Sequence, residues 1–580
     1  MLKKILAVMM ISLLLSGCNT TPIKNTDIQT NQFDVNNGIV AVQVINNTNT
    51  LNQLHKNWTE LIIIRTDNIE QLKNAAIEKA KLKSKHPVNE NKIDWEPEYF
   101  TLQPHPEGLI DSQIFLGALP QGEYLIANLY SFYNGGDFTS WLTMPVMAAA
   151  GKFEIKAKQL TNLGSIVFQP LLDIKQESFW RNESSQKAYV TRVEEQQDLN
   201  SFILKHYPNL EKNVDLTQVL GWKNDELNSF RNKLSQLSRE NAYGEAAISL
   251  KKHAKSLIAS KFGLIRWQDH AGIWHKTNIK SNSQFNAALE FEDKIAVAGE
   301  LGQVFITDKL GNEWQRFTPV SSKEAITWLA KGHSHYYALS QSATNYTLYE
   351  FDDITQPWKN ISEFKRRENN FFEIMGGVFP FINKAGLPTV VSDNKVSAYE
   401  PQTNKWIKYK SSAMVKLSQL NSGTLIGVEL SQWDGVGDQV VSYDDAKTWH
   451  KVARKLDLFG NNKVDLSLPA EITNEQILSL GKVGKDPELK IITANKIDIS
   501  KHKLWQAHAN AKAGCHTLLP QLTAENTVYF LCAHGAIVST SDFGQTWQDI
   551  INIDIKEMQD NYDLLIKALQ AEAVIEPKAK

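Results

Sequence analysis

Two histidines separated by one residue are the clearest pair of metal-ligating side chains in this 580-residue chain. His333 and His335 flank Ser334, and on a β-strand this spacing places both imidazoles on one face. Zinc sites use three or four protein ligands, and no third ligand accompanies the pair. The chain also lacks a glycine-rich phosphate loop, a Cys-x-x-Cys pair and a nucleophile elbow. The sequence therefore predicts no metal, no cofactor and no catalytic residue.

Aspartates recur in a short repeated pattern. Thr540–Trp547 reads Thr-Ser-Asp-Phe-Gly-Gln-Thr-Trp, and Ser442–Trp449 repeats it with Ala446 in place of the glycine. A looser copy, Thr307–Trp314, has its aspartate shifted by one position. In such a turn the carboxylate accepts hydrogen bonds from backbone N–H groups, glycine permits a positive φ, and tryptophan begins the next strand. The pattern thus predicts structural roles for Asp308, Trp314, Asp444, Trp449, Asp542, Gly544 and Trp547.

The pattern S/T-x-D-x-G-x-T-W resembles the Asp-box, or BNR repeat, which marks a fold and is silent on activity. Tryptophans that end this pattern, or a degenerate form of it, recur at intervals of 40 to 56 residues. A four-stranded propeller blade takes about 40–45 residues. Seven units therefore predict a seven-bladed β-propeller over residues 261–552, with six or eight blades as open alternatives. The tryptophans are Trp274, Trp314, Trp358, Trp406, Trp449, Trp505 and Trp547.

Sialidases carry Asp-boxes, and the resemblance implies three arginines around a substrate carboxylate, a Tyr/Glu nucleophile pair and an acid Asp. The first arginine of that family lies in an Arg-Ile-Pro motif, which this chain lacks. Residues 261–552 contain five arginines, and Arg266 is the one candidate near their start. Without three converging guanidinium groups the substrate carboxylate has no partner. The sequence therefore disfavours a sialidase-like glycoside hydrolase, which is kept as the alternative hypothesis to a non-catalytic binding protein.

The propeller also resembles the non-enzymatic Asp-box propellers of sortilin-type receptors and photosystem II assembly factors. Their units read G-x-x-G-x-I/V-x-x-S-x-D-x-G-x-T-W, and Gly299–Asp308 and Gly535–Asp542 follow parts of that phrase. The resemblance implies a surface that binds a protein or peptide. The arginine-rich face of the assembly factors is missing, so the resemblance does not imply their particular role.

The N-terminus resembles a bacterial lipoprotein signal. Residues 1–17 have a basic start and an apolar stretch too short to span a bilayer, and they end in Leu-Ser-Gly before Cys18. The resemblance implies acylation of Cys18, with a plain secretory signal as the alternative. Asn19 in the second mature position implies the outer membrane, on its periplasmic or its outer face. Residues 18–37 are then a flexible tether.

Three further segments surround the predicted propeller. Residues 38–172 alternate as β-strands and resemble a small prealbumin-like sandwich, with an aromatic stretch at Tyr130–Trp141 that is either a sticky surface or core. Residues 173–260 show helical spacing and predict a connector. Residues 553–580 predict an amphipathic helix and tail. The fold class is therefore mainly β: a seven-bladed β-propeller preceded by a small β-sandwich and a helical connector.

Two cysteines remain after Cys18. Cys515 and Cys532 lie on either side of a hairpin turn predicted near residues 523–526. In an oxidising compartment an even number favours a disulfide, and two buried thiols are the alternative.

The charge of the chain restricts the classes of partner that it is expected to bind. The net charge is −2, so no basic field favours nucleic acid. Three hypotheses follow: a lipid-anchored scaffold whose propeller binds a protein or glycan, the sialidase-like enzyme, and a purely structural envelope component.

Overall fold

A computed structural model describes residues 23–28, 33–47, 57–105, 107–134, 139–178, 181–194, 199–244, 246–367, 376–430, 438–453, 463–464, 468–482, 488–523, 526–532 and 535–575. Cys18 and Asn19 lie outside these residues. The chain divides into two compact units. The sandwich unit comprises the chain up to Pro106, Asp111–Glu240 and the chain from Asp554, and the propeller unit comprises Glu107–Ile110 and Asn241–Ile553. Within the described part, every helix is too short or too polar to cross a bilayer.

Eleven described strands form the sheet structure of the sandwich unit, in the order β10-β9-β2-β5-β4-β3-β6-β7, with β1 on β4, β11 on β9 and β8 on β6. The strands are β1 (Lys24–Asn25), β2 (Asn37–Asn46), β3 (Glu60–Arg65), β4 (Tyr99–His105), β5 (Ser112–Pro120), β6 (Gly122–Asn134), β7 (Thr139–Pro145), β8 (Lys152–Ile155), β9 (Gln159–Ser178), β10 (Arg181–Val193) and β11 (Asp215–Val219).

Strand β4 passes from one layer to the other. Tyr99–Leu102 pair with β3, whereas Gln103–His105 pair with β5. Strands that switch sheets in this way join the layers of a sandwich. Apolar side chains from both layers meet in one core, which includes Val42 of β2 and Ile63 of β3.

Five described helices accompany these strands: α1 (Ile69–Lys83), α2 (Met147–Ala150), α3 (Asn200–His206), α4 (Asn228–Glu240) and α5 (Ile555–Ile575). Helix α5 packs on α4, where Leu234 and Leu565 are buried together and Lys233 pairs with Glu557 at 2.9 Å. The chain thus leaves the sandwich unit after α4 and returns to it with α5. The propeller lies between these two helices in sequence. Single 3-10 turns occur at Glu90–Lys92, Leu210–Lys212, Lys261–Gly263, Glu300–Gly302, Lys496–Asp498 and His502–Leu504.

Seven antiparallel sheets form the described propeller unit, each from consecutive strands, as the sequence predicts. Blades 1 to 4 are β12 (Ala246–Ser249), β13 (Ser256–Ala259), β14 (Leu264–Gln268) and β15 (Trp274–Asn278); β16 (Phe285–Phe291), β17 (Lys294–Gly299), β18 (Val304–Thr307) and β19 (Gln315–Phe317); β20 (Ala325–Lys331), β21 (Tyr336–Gln341), β22 (Asn345–Phe351) and β23 (Lys359–Lys365); β24 (Val378–Ile382), β25 (Pro388–Ser392), β26 (Lys395–Glu400) and β27 (Lys405–Lys410). Blades 5 to 7 are β28 (Met414–Gln419), β29 (Leu425–Glu429), β30 (Gln439–Ser442) and β31 (His450–Ala453); β32 (Lys463–Val464), β33 (Ala470–Glu471), β34 (Gln476–Lys482), β35 (Lys490–Asn495) and β36 (Gln506–Asn510); β37 (Cys515–Leu518), β38 (Val528–Cys532), β39 (Ile537–Thr540) and β40 (Gln548–Ile551).

Each repeated tryptophan lies at the start of the outermost strand of its blade. Trp274 is the first residue of β15, Trp547 immediately precedes β40, and the other five occupy equivalent places. Each blade is a continuous stretch of chain, so blades 1 and 7 are the first and last of the ring in sequence. They close the ring through a shared apolar cluster that includes Ile258 of blade 1 and Tyr529 of blade 7.

Three boundaries differ from the sequence prediction. The first blade begins at Ala246 and not at residue 261, so β12 and β13 fall inside the predicted helical connector. That connector also contains β10 and β11. Lys24–Asn25, predicted as tether, pairs with β4. The short strands β1, β11, β12 and β13 have no distinctive motif and take their conformation from their sheet partners, whereas β10 has 13 residues and pairs with β9 along its length.

Candidate functional surfaces of the propeller

The Asp542 turn has the hydrogen bonds expected of an Asp-box. Its Oδ1 accepts from the Thr546 backbone N–H at 2.9 Å, and its Oδ2 accepts from the Thr546 hydroxyl at 2.6 Å. Thr540 donates its hydroxyl to Oδ1 at 2.8 Å and accepts the Gly544 N–H at 2.8 Å. The Thr546 bonds lower the pKa of Asp542 to about 2. A carboxylate so engaged is a structural acceptor.

The Asp444 turn repeats this geometry. Its two carboxylate oxygens accept from Thr448 N–H at 2.9 Å and Thr448 Oγ1 at 2.7 Å, and Ser442 takes the place of Thr540. Partial burial opposes ionisation of Asp444, but the hydrogen bonds outweigh it, so its pKa is lowered. Ala446 stands where glycine is expected and adopts φ 64°.

The Thr307–Trp314 turn lacks the carboxylate. Thr307 takes the place of Thr540, so Lys309 occupies the aspartate position and Asp308 lies one residue early. Asp308 is exposed and makes none of the Asp-box hydrogen bonds; instead Thr307 Oγ1 donates to the Lys309 carbonyl at 2.8 Å. The structural role predicted for Asp308 is therefore wrong. Gly311, at φ 90°, and Trp314 keep their places.

The first blade contains a related carboxylate that the sequence prediction did not single out as a site. Asp269 accepts the Ile273 N–H at 2.9 Å and contacts His275 Nε2 at 2.8 Å. The His275 hydrogen bond lowers the pKa of Asp269. Asp269 lies four residues before the backbone N–H that donates to it, as Asp542 does, and this spacing is the signal that could have found it.

Arg266, the arginine named for the sialidase alternative, lies on β14 with 7% of its surface exposed. It donates to the Ala242 carbonyl at 3.2 Å and to the Ser260 hydroxyl at 3.3 Å. Burial lowers its pKa to about 10. These contacts join β14 to the chain that precedes the first blade and to the connection between β13 and β14, which is a structural role.

The His333–His335 pair does not lie on a strand, contrary to the prediction. Both residues occupy the turn between β20 and β21, and His335 Nδ1 contacts Asp352 Oδ1 at 2.7 Å. The backbone N–H of His333 donates to the Gly386 carbonyl of the next blade. In this turn the alternation that would align the two imidazoles does not apply.

Cys515 and Cys532 form a disulfide that joins β37 to β38. They are directly paired across the hairpin. The bond therefore links the two innermost strands of the last blade.

One end of the central channel is bridged by side chains. Gln521, in the loop after β37, donates to Ser418 of blade 5 at 2.6 Å, and its carbonyl accepts from Ser249 of blade 1 at 2.6 Å. Asn421 of blade 5 also donates to Ser249 at 3.1 Å. Blades 1 and 5 are not neighbours in a seven-membered ring, so these contacts cross its axis. A ligand cannot thread this end without breaking them.

The sixth blade presents the most exposed large apolar side chain of the described propeller. Between β35 and β36 two 3-10 turns replace the Asp-box, and Ile497 is 86% exposed and Leu504 49% exposed. We call Lys496–Leu504 the blade-6 loop. Lys501 on this loop pairs with Asp498 at 2.9 Å, so charged groups border the apolar ones. Exposed apolar side chains rimmed by polar groups are typical of protein-docking surfaces.

No known family model and no curated protein matches the chain. Solved propellers do. YCF48 bound to D1 peptide is 14% identical, with 51% of this chain and 92% of that chain covered at a TM-score of 0.36. The Swd1 β-propeller domain of Myceliophteria thermophila is 9% identical (51% and 95% covered, TM-score 0.35), and BamB from Moraxella catarrhalis is 14% identical (52% and 95% covered, TM-score 0.33). Likenesses of this size carry no function over, and the propeller is assigned from its own seven sheets.

Proposed function

We propose that the chain is a lipoprotein, anchored in the outer membrane through acyl groups on Cys18, whose propeller binds a protein or glycan partner without making or breaking a bond. The blade-6 loop carries this proposal, because Ile497 and Leu504 expose apolar surface where two other blades have compact Asp-box turns. A protein partner fits such a loop better than a glycan, since burial of apolar area favours association.

The contacts of Arg266, the arginine named for the enzymatic alternative, and of the two Asp-box carboxylates support the same reading. Arg266 is occupied by Ala242 and Ser260, and the Asp444 and Asp542 carboxylates are occupied by their own turns. None of these groups is presented for a substrate carboxylate or a glycosidic oxygen. A glycan-hydrolysis screen of the purified full chain decides between the two hypotheses, and turnover there would favour the glycoside hydrolase.

The binding proposal is tested by crosslinking on intact cells, followed by detergent extraction and identification of what is captured. We expect a defined partner whose capture falls by about tenfold in the variant Ile497→Asp/Leu504→Asp, because charge placed in an apolar contact opposes burial. The matched control is Ile407→Asp, on the outer strand of blade 4, where Ile407 is 51% exposed. Equal capture by both variants would contradict the assignment of the blade-6 loop.

The anchor is tested separately. Cys18→Ser should abolish incorporation of labelled fatty acid, and Asn19→Asp should move the protein from the outer to the inner membrane fraction. Unchanged lipid labelling in Cys18→Ser would contradict the anchor, and an unchanged fraction for Asn19→Asp would contradict the sorting.

A further inference from the structure

The chain that leads from Cys18 enters the sandwich unit at a defined place. Lys24 begins β1 and pairs with Phe100 of β4, in parallel register. Cys18 precedes Lys24 by six residues. Six residues span at most about 20 Å when fully extended. An acylated Cys18 therefore keeps this end of the sandwich close to the bilayer surface.

Helix α1 begins at the same place. Glu98 joins the two segments, because Lys24 Nζ pairs with its Oε1 and Asn68 Nδ2 donates to its Oε2 at 2.8 Å. Asn68 is the residue before α1. The start of the helix and the entry of the N-terminal chain are thus held by one carboxylate.

The connection from β3 to β4, which contains α1, begins and ends at this end of the sheet. Ile64, near the end of β3, pairs with Tyr99, the first residue of β4, and residues 66–98 run between the two strands. Strand β6 runs the other way, so the β6–β7 hairpin, with Thr139 on β7, lies at the far end. The sandwich therefore has an anchor end and a hairpin end.

The last turn of α1 and the residues after it are basic and exposed. Residues 79–86 contain four lysines and no acidic residue. Lys81 is held by Glu78 at 3.1 Å and Glu90 at 3.0 Å, whereas Lys79, Lys83 and Lys85 have no ion-pair partner among the described side chains. Leu82, between them, is 87% exposed.

The positive charge and the exposed leucine of this segment together fit an anionic membrane surface. Positions three and four apart on a helix are neighbours, so Lys79, Leu82 and Lys83 share a face. Basic clusters beside a membrane anchor are attracted to anionic headgroups, and an apolar side chain among them can enter the interface. We propose that Lys79, Leu82, Lys83 and Lys85, the basic end of α1, dock on anionic phospholipid beside the Cys18 anchor. This inference rests on the lipid anchor of the proposed function.

The experiment places an environment-sensitive dye on the full-length lipidated protein in vesicles. The labelled variant is Ala75→Cys, one turn before Lys79 on an exposed position, and the control label is Thr139→Cys at the hairpin end. Cys515 and Cys532 are paired and do not compete for the label. The vesicles are phosphatidylethanolamine alone, or phosphatidylethanolamine mixed with phosphatidylglycerol, and flotation measures anchoring in the same samples.

We expect a blue shift of the Ala75→Cys dye in the phosphatidylglycerol vesicles that disappears at high salt. The ratio of docked to undocked protein should fall about fivefold for each of Lys79→Gln and Lys83→Gln. A matched charge change on exposed residues of β27, Lys405→Gln/Lys408→Gln, should leave the ratio unchanged.

Three results would overturn the inference in distinguishable ways. Flotation without a lipid-dependent shift would remove the docking, leave the anchor intact and point to an acidic protein as the occupant. Loss of flotation in the unsubstituted protein would remove the anchor and the docking together. A shift of equal size at Thr139→Cys would also contradict docking through α1.

Discussion

The turns that close blades 7 and 5 differ at one position of the motif and share their hydrogen bonds. Gly544 has φ 90° and Ala446 has φ 64°, both in the region that favours glycine. In each turn one carboxylate binds the N–H and hydroxyl of the residue four positions on. The hydrogen bonds thus define the turn, and glycine only lowers its conformational cost. The Thr307–Trp314 turn extends the comparison, because it keeps glycine and tryptophan without the carboxylate.

The disulfide is the largest difference between the two blades, since blade 7 has one and the described part of blade 5 has no cysteine. Cys515 and Cys532 are separated by 17 residues. Removing a cross-link over a loop of that length costs about 3 kcal/mol of stability. We expect Cys515→Ala/Cys532→Ala to lower the free energy of propeller unfolding by that amount in a denaturant titration. An unchanged midpoint would show that the disulfide adds nothing to this blade.

Gly544→Ala should have the next largest effect. A Cβ at this position would lie 2.9 Å from Ile491 Cδ1 and 3.3 Å from the Trp547 ring, with the backbone at positive φ. The strain and the contact together should cost about 2 kcal/mol. Gly423→Ala is the control, because it has a similar φ, 86°, and open space around it. Equal losses in both variants would mean that the backbone alone sets the cost.

Removing the carboxylates tests the shared hydrogen bonds. Asp444→Ala should lower the free energy of unfolding by about 1–2 kcal/mol, because the Thr448 N–H and hydroxyl lose a charged acceptor. Asp542→Ala should lower Tm by about as many degrees as Asp444→Ala does. Asp308→Ala is the matched control and should leave Tm unchanged, because Asp308 makes none of these bonds. A loss at Asp308 as large as at Asp542 would contradict the comparison.

Acid should weaken the Asp542 turn in a defined window. Its folded pKa of about 2 lies below the ordinary value of 3.8, so its contribution is present above that value and is lost as the pH falls toward 2. The difference in Tm between the protein and Asp542→Asn should therefore shrink between about pH 5 and about pH 2. A difference that stays constant over this range would exclude the carboxylate as its source.

Ala446→Gly should give the smallest effect, and a stabilising one. Relief of about 1–2 kcal/mol of left-handed backbone strain exceeds the about 0.8 kcal/mol lost with a buried methyl group. The net gain is about 0.5 kcal/mol, measurable as a higher midpoint in denaturant. A lower midpoint would mean that the packing of Ala446, which is fully buried, outweighs its strain.

The tryptophan spacing predicted the seven blades because one large ring begins the outer strand of each. The same spacing missed the start of the first blade, since β12 and β13 are four residues long and precede Trp274. The position of Asp308 within the motif determines its role, because a shift of one residue removes the carboxylate from the hydrogen bonds of the turn. Such a shift is visible in the sequence, but its consequence needs the hydrogen-bond geometry.

The candidate surfaces were less accessible to sequence reasoning. Gln521, Ser418 and Ser249 come from three blades, and only the closed ring brings them together. The exposure of Ile497 depends on two 3-10 turns that have no strong sequence signature. The basic character of residues 79–86 can be recognised in the sequence. That their helix begins beside the N-terminal chain follows only from the Glu98 contacts.

The α4–α5 pair has a consequence for the order of synthesis. Leu565 of α5 packs with Leu227 and with Leu234 of α4, and more than 300 residues separate these two helices in the chain. The sandwich unit emerges first but receives α5 last, after all seven blades have been made. Until then Leu227 and Leu234 lack that cover. A chain truncated anywhere in the propeller therefore leaves its first domain unfinished, and a protease or chaperone that recognises exposed leucines can tell it from the complete protein.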